Sequence, residues 1–143
     1  MRPIHSFAAF SPHDDGVMTP RRPSVLVVDD VALVRLLVGD YLRDAGFEAI
    51  EAASADDAMR MLDGGLEVDV LFTDLVMPGK ADGVALALWV REHYPDIKVV
   101  LGSGVAAATE RAMALGFGEP LVKPYRQSAL QRRLRDVLGH NTH

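Results

Sequence analysis

Four positions along this 143-residue chain carry groups that could act on one another: the acidic pair Asp29–Asp30, then Asp74, Ser103 and Lys123. Asp30 and Asp74 lie 44 positions apart, Asp74 and Ser103 29, and Ser103 and Lys123 20. Adjacent carboxylates repel unless positive charge neutralises them. A hard cation held by carboxylate oxygens and water, as Mg2+ is, does this best. The lysine ammonium is a compact charge suited to a phosphoryl or carboxylate oxygen. A carboxylate can itself be a nucleophile and form an acyl phosphate. Phosphoryl transfer asks mainly for positioning and for positive charge around the transferred oxygens. Mg2+ and Lys123 would supply that charge and Ser103 one hydrogen bond. Taken singly, each residue has a plain structural role: Asp30 as a helix N-cap, Asp74 as a turn residue, Ser103 as a structural hydroxyl, Lys123 as a solvated loop lysine. A joint role requires elements that bring all of them to one rim.

The patterning from Ser24 onward supplies such elements. Val25–Val28 is a continuous apolar run, the mark of a strand buried on both faces. Leu33, Leu37 and Tyr41, with Val34, Val38, Leu42 and Ala45, recur at helical spacing until Gly46 ends the helix. Phe47–Ala52 reads as a second strand. Ser54 N-caps a helix with Asp57 three residues on, and Gly64–Gly65 stops it. Val68–Thr73 is a third strand, apolar but for Asp69. Gly83–His93 is a helix carrying the lone Trp89 and closing before Pro95. Ile97–Leu101, a helix over Ala106–Leu115, a short strand at Leu121–Val122 and a last helix with Leu130, Leu134, Val137 and Leu138 facing inward complete the alternation. Five successive βα units predict an α/β fold, a doubly wound parallel sheet with helices on both faces. In such sheets ligands bind beyond the carboxyl ends of strands. Asp29–Asp30 follow the first strand, Asp74 the third, Ser103 the fourth and Lys123–Pro124 the fifth. The second offers Glu51 or Ala52, with no convergent role.

Composition narrows the classes. Hydrophobic residues make up 49% and charged residues 24%, as in a globular protein, and there is no cysteine for a disulfide, thiolate nucleophile or Cys-ligated metal. Fifteen Lys and Arg against 20 Asp and Glu give a net charge of −5, which disfavours binding to nucleic acid through a general basic field. Between Asp29 and Asp74 stand 12 acids and three bases, an excess that a cation could use. No stretch has the length and apolarity of a membrane span or a secretory leader, so a cytoplasmic protein is expected. Residues 1–23 hold four of the eight prolines and show neither helical nor strand period. They read as a disordered tail, with Met18 as an alternative start; residues 24–138 form the domain and 139–143 a short C-terminal tail. His5 and His13 lack the spacing of a metal site.

Four segments, VLVVDD (Val25–Asp30), LFTDLVMPGKADG (Leu71–Gly83), VVLGSG (Val99–Gly104) and LVKPY (Leu121–Tyr125), occur in this order, and with them the chain resembles the receiver domain of two-component response regulators. The resemblance runs from about Ser24 to Leu138. It implies the flavodoxin-like strand order 2-1-3-4-5 and assigns Asp74 as phosphoacceptor. Mg2+ would be held by Asp30, by Asp29 largely through water, by Asp74 and by the backbone carbonyl of Val76. Lys123 would contact the phosphoryl group across a cis Lys123–Pro124 bond. Ser103 would be the hydroxyl that swings toward the new phosphate and reshapes the surface of the fourth helix, fifth strand and fifth helix. Two departures stand out. Pro120 occupies the position, three before the lysine, where the family often has Tyr or Phe, and the short interval from Ser103 to Lys123 implies a shortened fourth helix or shortened loops beside it. Val76 and Val105 are apolar at positions that in the family govern attack by water, which implies slow autodephosphorylation.

With only Gly139–His143 after the last helix, a stand-alone response regulator receiver is expected. It would take its phosphoryl group from a sensor histidine kinase or histidine phosphotransfer protein. It would then either control a downstream protein effector or pass the group on. It would be no enzyme beyond its own aspartyl phosphorylation and dephosphorylation, and a monomer or weak homodimer. Arg132, Arg133 and Arg135 read as a solvated helix face, or as a contact for an acidic partner. A dehalogenase-type hydrolase would need a second Asp where Val76 stands, and Pro78–Ala81 is no phosphate-cradling loop. The competing function is an interaction adaptor that works without phosphorylation.

Overall fold

The computed structural model describes residues 10–12, 18–20, 22–77 and 82–139. Five parallel strands form the sheet: β1 (Ser24–Val28), β2 (Glu48–Ala52), β3 (Val70–Asp74), β4 (Lys98–Ser103) and β5 (Leu121–Val122). Their order is β2-β1-β3-β4-β5, the flavodoxin-like topology expected. The helices are α1 (Ala32–Asp44), α2 (Ala55–Asp63), α3 (Gly83–His93), α4 (Ala106–Ala114) and α5 (Gln127–Val137). α4, like α2, has nine residues. The expected elements are all present, with ends moved by one to two residues. β3 reaches Asp74 and β4 reaches Ser103, so both site residues close strands rather than follow them.

Alternation along the strands divides the core. Val25 and Val27 of β1, with Val70 and Phe72 of β3, pack against Val38 and Leu42 of α1 and Leu130, Leu134 and Leu138 at α5. Leu26, Val28 and Leu71 face the other way, onto Ala58 and Leu62 of α2 and Leu86 and Val90 of α3. Residues two apart on a strand share a face, so both helical layers draw on the same short runs. α4 closes the second layer through Ala112, packed with Leu101, Leu75, Val84 and Ala87.

The helix starts follow local chemistry. The Ser54 hydroxyl accepts from the Asp57 amide at 3.0 Å, as expected, and Asp82, which the sequence reading does not single out, accepts from the Ala85 amide at 2.9 Å to cap α3. At the opposite rim from the site, buried Asp69 accepts from both the amide (2.8 Å) and the hydroxyl (3.3 Å) of Ser24. Its own amide donates to the Ser24 carbonyl, and its carbonyl accepts from Lys98. Asp69, the one charged residue in the apolar third run, is thus the staple joining the starts of β1, β3 and β4.

Two features go beyond what the patterning specifies. On α1, Leu33 and Leu37 do not face the core: they are 74% and 49% exposed, and the buried stripe is Val38 and Leu42, with Val34, Tyr41 and Ala45 packed beside it. The apolar stripe is wider than the sheet can cover. Within the N-terminal segment, read as lacking any strand period, Phe10–Pro12 and Met18–Pro20 pair as an antiparallel ribbon separate from the main sheet. Backbone pairing needs no apolar alternation. His5, His13, residues 78–81 and residues 140–143 lie outside the described residues.

Candidate functional site

The rim beyond the carboxyl ends of β1, β3 and β5 gathers four of the five predicted side chains. Asp29 follows β1 and is 3% exposed. Its Oδ1 accepts from the Val31 amide at 2.9 Å, and its amide donates to Ala52 of β2. Asp30, beside it, is exposed, and among the described hydrogen bonds and ion pairs none involves its side chain. It does not cap α1: Val31 holds the N-cap position, without a side-chain bond. Asp74 ends β3 on the neighbouring strand. One carboxylate oxygen from each of Asp29, Asp30 and Asp74 lies within 4.8 Å of the others. Three converging carboxylates at that spacing suit a hard, oxygen-ligated cation such as Mg2+.

Lys123 comes from the far side of the site. β5 carries it in, and the following bond to Pro124 is cis, as the resemblance implies. Its Nζ lies 2.8 Å from Asp74 Oδ2 and 3.4 Å from Asp29 Oδ2. Lys123 is therefore no solvated loop lysine. Partial burial by itself would lower its pKa, but the hydrogen bond and charge of Asp74, reinforced by Asp29, outweigh that and hold it above the ordinary lysine value. The ammonium stays charged and balances part of the carboxylate repulsion.

Ser103 is placed at the rim but turned away. Its hydroxyl donates to the Val105 carbonyl at 3.0 Å and accepts from the Val105 amide at 3.2 Å, and the residue is buried. Here the hydroxyl is a turn-former next to the site. A hollow of about 430 Å³ opens beside it, lined by Val105, Ala106, Thr109, Glu110 and Val122. Val76 donates its amide to Asp74 Oδ1 over a long 3.4 Å and leaves its side chain 49% exposed at the mouth of the site.

Sequence reading passed over three participants. Arg35 of α1 donates from Nη1 to the Asp29 carbonyl at 2.6 Å, and its Nε lies 3.4 Å from Glu51 at the end of β2. Their spacing carries no motif; only α1 packing on β2 joins them. Tyr125, two residues past Lys123, meets Phe72 edge-to-face with centroids 5.5 Å apart and stands against Gly102, beside Ser103. Pro120, at the position where the family often has an aromatic, is buried. Tyr125 also lines an apolar groove of about 380 Å³ with Val34, Leu37, Val38, Tyr41 and Pro124. Of the arginine cluster, Arg132 and Arg135 are exposed, while Arg133 donates to the Glu119 carbonyl at 2.6 Å.

Comparison with known proteins places this geometry. Residues 25–135 match the family described as response regulator receiver domain. The chain is 32% identical over 120 residues to a chemotaxis protein CheY homolog of Campylobacter jejuni, across 80% of this chain and 92% of that protein. A putative response regulator from Chloroflexus aurantiacus superposes with a TM-score of 0.74 at 28% identity, covering 83% of this chain and 99% of that one. Longer proteins also match. The chain spans 49% of the probable transcriptional regulator ycf27 of Porphyridium aerugineum and 12% of the sensor kinase CckA of Brucella abortus, to which it is 38% identical. Among the described residues, no helix is long and apolar enough to cross a membrane.

Proposed function

This chain belongs to the response regulator receiver domain family, and from that premise we propose that Asp74 accepts a phosphoryl group from a phosphohistidine on a sensor histidine kinase or histidine phosphotransfer protein. The observation that carries the proposal is the convergence of the Asp29, Asp30 and Asp74 oxygens within 4.8 Å, with the Lys123 ammonium 2.8 Å from Asp74. In the transfer, an Asp74 carboxylate oxygen forms a bond to phosphorus while the phosphorus–nitrogen bond breaks. The electron pair returns to the imidazole, which takes up a proton from solvent. Asp29, Asp30, Asp74 and the Val76 carbonyl would hold Mg2+, whose charge would offset that on the phosphoryl oxygens. Lys123, already held beside Asp74, supplies a further positive charge to the same oxygens.

Once Asp74 carries the phosphoryl group as an acyl phosphate, its carboxylate charge is replaced by charge on the phosphoryl oxygens. Ser103 can then exchange its two Val105 bonds for one to a phosphoryl oxygen, which frees the turn leading into α4. The hollow between α4 and Val122 changes shape with that turn, and α4, β5 and α5 form the surface through which a downstream protein reads the state. Exposed Leu33, Leu36 and Leu37 on α1, beside the apolar groove, give a protein donor an apolar footing near Asp74. Receiver domains are signalling modules, and this one works by controlling a partner or passing the phosphoryl group on, in the cytoplasm.

The test is intact-protein mass after incubation with Mg2+ and acetyl phosphate, beside Asp74→Asn. One added phosphoryl group, absent from the variant and in EDTA, is the expected result. A folded wild-type protein that gains none, from acetyl phosphate or from a phosphorylated histidine kinase, overturns the proposal in favour of a phosphorylation-independent adaptor.

A further inference from the structure

Asp30 is exposed, and no described hydrogen bond or ion pair involves its side chain, so its direction depends on the backbone that carries it. That backbone is held at the preceding peptide. The Asp29 amide donates to the Ala52 carbonyl at 3.3 Å, and the Asp29 carbonyl accepts from Arg35 Nη1 at 2.6 Å. Since a peptide unit is planar, fixing the carbonyl of Asp29 fixes the amide nitrogen and the Cα of Asp30, the point from which its side chain leaves the chain. On the other side of Asp30 the Val31 amide donates to Asp29 Oδ1 at 2.9 Å, and the N-cap Val31 itself offers no side-chain bond, so Arg35 is the side chain from outside the Asp29–Val31 turn that grips this backbone.

The guanidinium is itself held. Arg35 Nε lies 3.4 Å from Glu51 Oε1 at the end of β2, and the Arg35 side chain is only 17% exposed. Glu51 also faces Arg43, at 3.9 Å. A guanidinium presents donors in a rigid plane, so one side can meet the Glu51 carboxylate while the other meets the Asp29 carbonyl; a lysine ammonium lacks that fork. Glu51 balances the charge of Arg35, so the pair adds little net field to the acidic pocket and acts through geometry.

We propose that Arg35, steered by Glu51, is a positioning residue for the cation site. It locks the Asp29–Asp30 peptide so that both carboxylates stay within reach of the ion that Asp74 shares. This inference rests on the reading of the acidic pocket as a divalent-cation site. Neighbours that orient metal ligands commonly contribute 10–100-fold in affinity.

Binding of Mn2+, a stand-in for Mg2+, can be followed by the electron paramagnetic resonance signal of the free ion. The proteins compared are wild type, Asp30→Asn, Arg35→Met, Arg35→Lys and Arg43→Met, with urea unfolding in EDTA as the check on folding. Arg35→Met and Arg35→Lys should each weaken Mn2+ binding about tenfold. Arg43→Met, which also removes a Glu51 partner, should stay within about twofold, since exposed ion pairs contribute little. Arg35→Lys keeps the charge and most of the stem, so it decides the matter if the methionine variant fails to fold. Wild-type affinity in Arg35→Lys, with binding lost in Asp30→Asn, overturns the positioning role and leaves the cation site standing. Absence of Mn2+ binding by the wild type overturns both.

Discussion

Gly83, the first residue of α3, approaches the end of β3 so closely that a methyl group on it would lie 1.8 Å from the carbonyl oxygen of Asp74 and 2.8 Å from the Cα of Leu75. Its amide donates to the Leu75 carbonyl at 3.0 Å, so the helix start and the candidate phosphoacceptor strand are joined backbone to backbone. No side chain can move aside to make room.

Gly83→Ala should therefore destabilise the fold by about 3 kcal/mol, at the upper end of overpacking costs. Gly39→Ala, inside α1, meets only the tip of the flexible Arg43 side chain and should stabilise by up to about 1 kcal/mol through helix propensity. Urea midpoints of the two variants should move in opposite directions. A neutral Gly83→Ala would mean that α3 does not start where it is placed.

Lys123 competes with a cation for the oxygens of Asp29 and Asp74. Lys123→Ala should lower stability in EDTA by roughly 1 kcal/mol, a figure discounted for partial exposure of the pair. Mg2+ should then raise the melting temperature of the variant more than that of the wild type, because three carboxylates are left without their neutralising neighbour. An equal or smaller Mg2+ increment would separate the lysine from the cation site.

Val76, whose amide donates to Asp74, and Val105, in the turn with Ser103, are 49% and 47% exposed, and apolar side chains there offer an attacking water no hydrogen bond. Phosphorylated protein should lose its group slowly, and Val76→Asn should shorten the half-life several-fold. The decay of the phosphorylated mass after removal of acetyl phosphate measures this directly. Rapid loss that Val76→Asn leaves unchanged would count against the shielding role.

Tyr125 provides a signal at high pH. Burial first, then the charges of Asp29 and Asp74, raise its phenol pKa above the ordinary 10.0. The folded protein thus keeps a proton that the unfolded chain has lost. The contribution is fully present below about pH 10 and is lost as pH rises beyond it. Urea midpoints should fall from about pH 10 upward, and the fall should be shallower in Tyr125→Phe. Identical slopes would place Tyr125 in a better solvated position.

Strand ends are local features, and so the sequence by itself determined where the candidate site would lie. Short apolar runs bounded by Asp29, Asp74, Ser103 and Lys123 specify a parallel sheet whose carboxyl rim carries those groups, because buried strands tolerate polar residues mainly where they emerge. The tertiary structure decided the matters of pairing and direction. Periodicity shows that α1 is amphipathic but not how much of a wide apolar stripe the sheet covers, so the exposure of Leu33 and Leu37 follows only from packing. Glu51, without evident purpose at its strand end, gains one when α1 brings Arg35 beside it. Asp69 turns from an interruption in an apolar run into the staple for three strands. Ser103 is at the rim in both descriptions, yet whether its hydroxyl faces Val105 or Asp74 depends on a side-chain rotation that residue type and spacing do not specify.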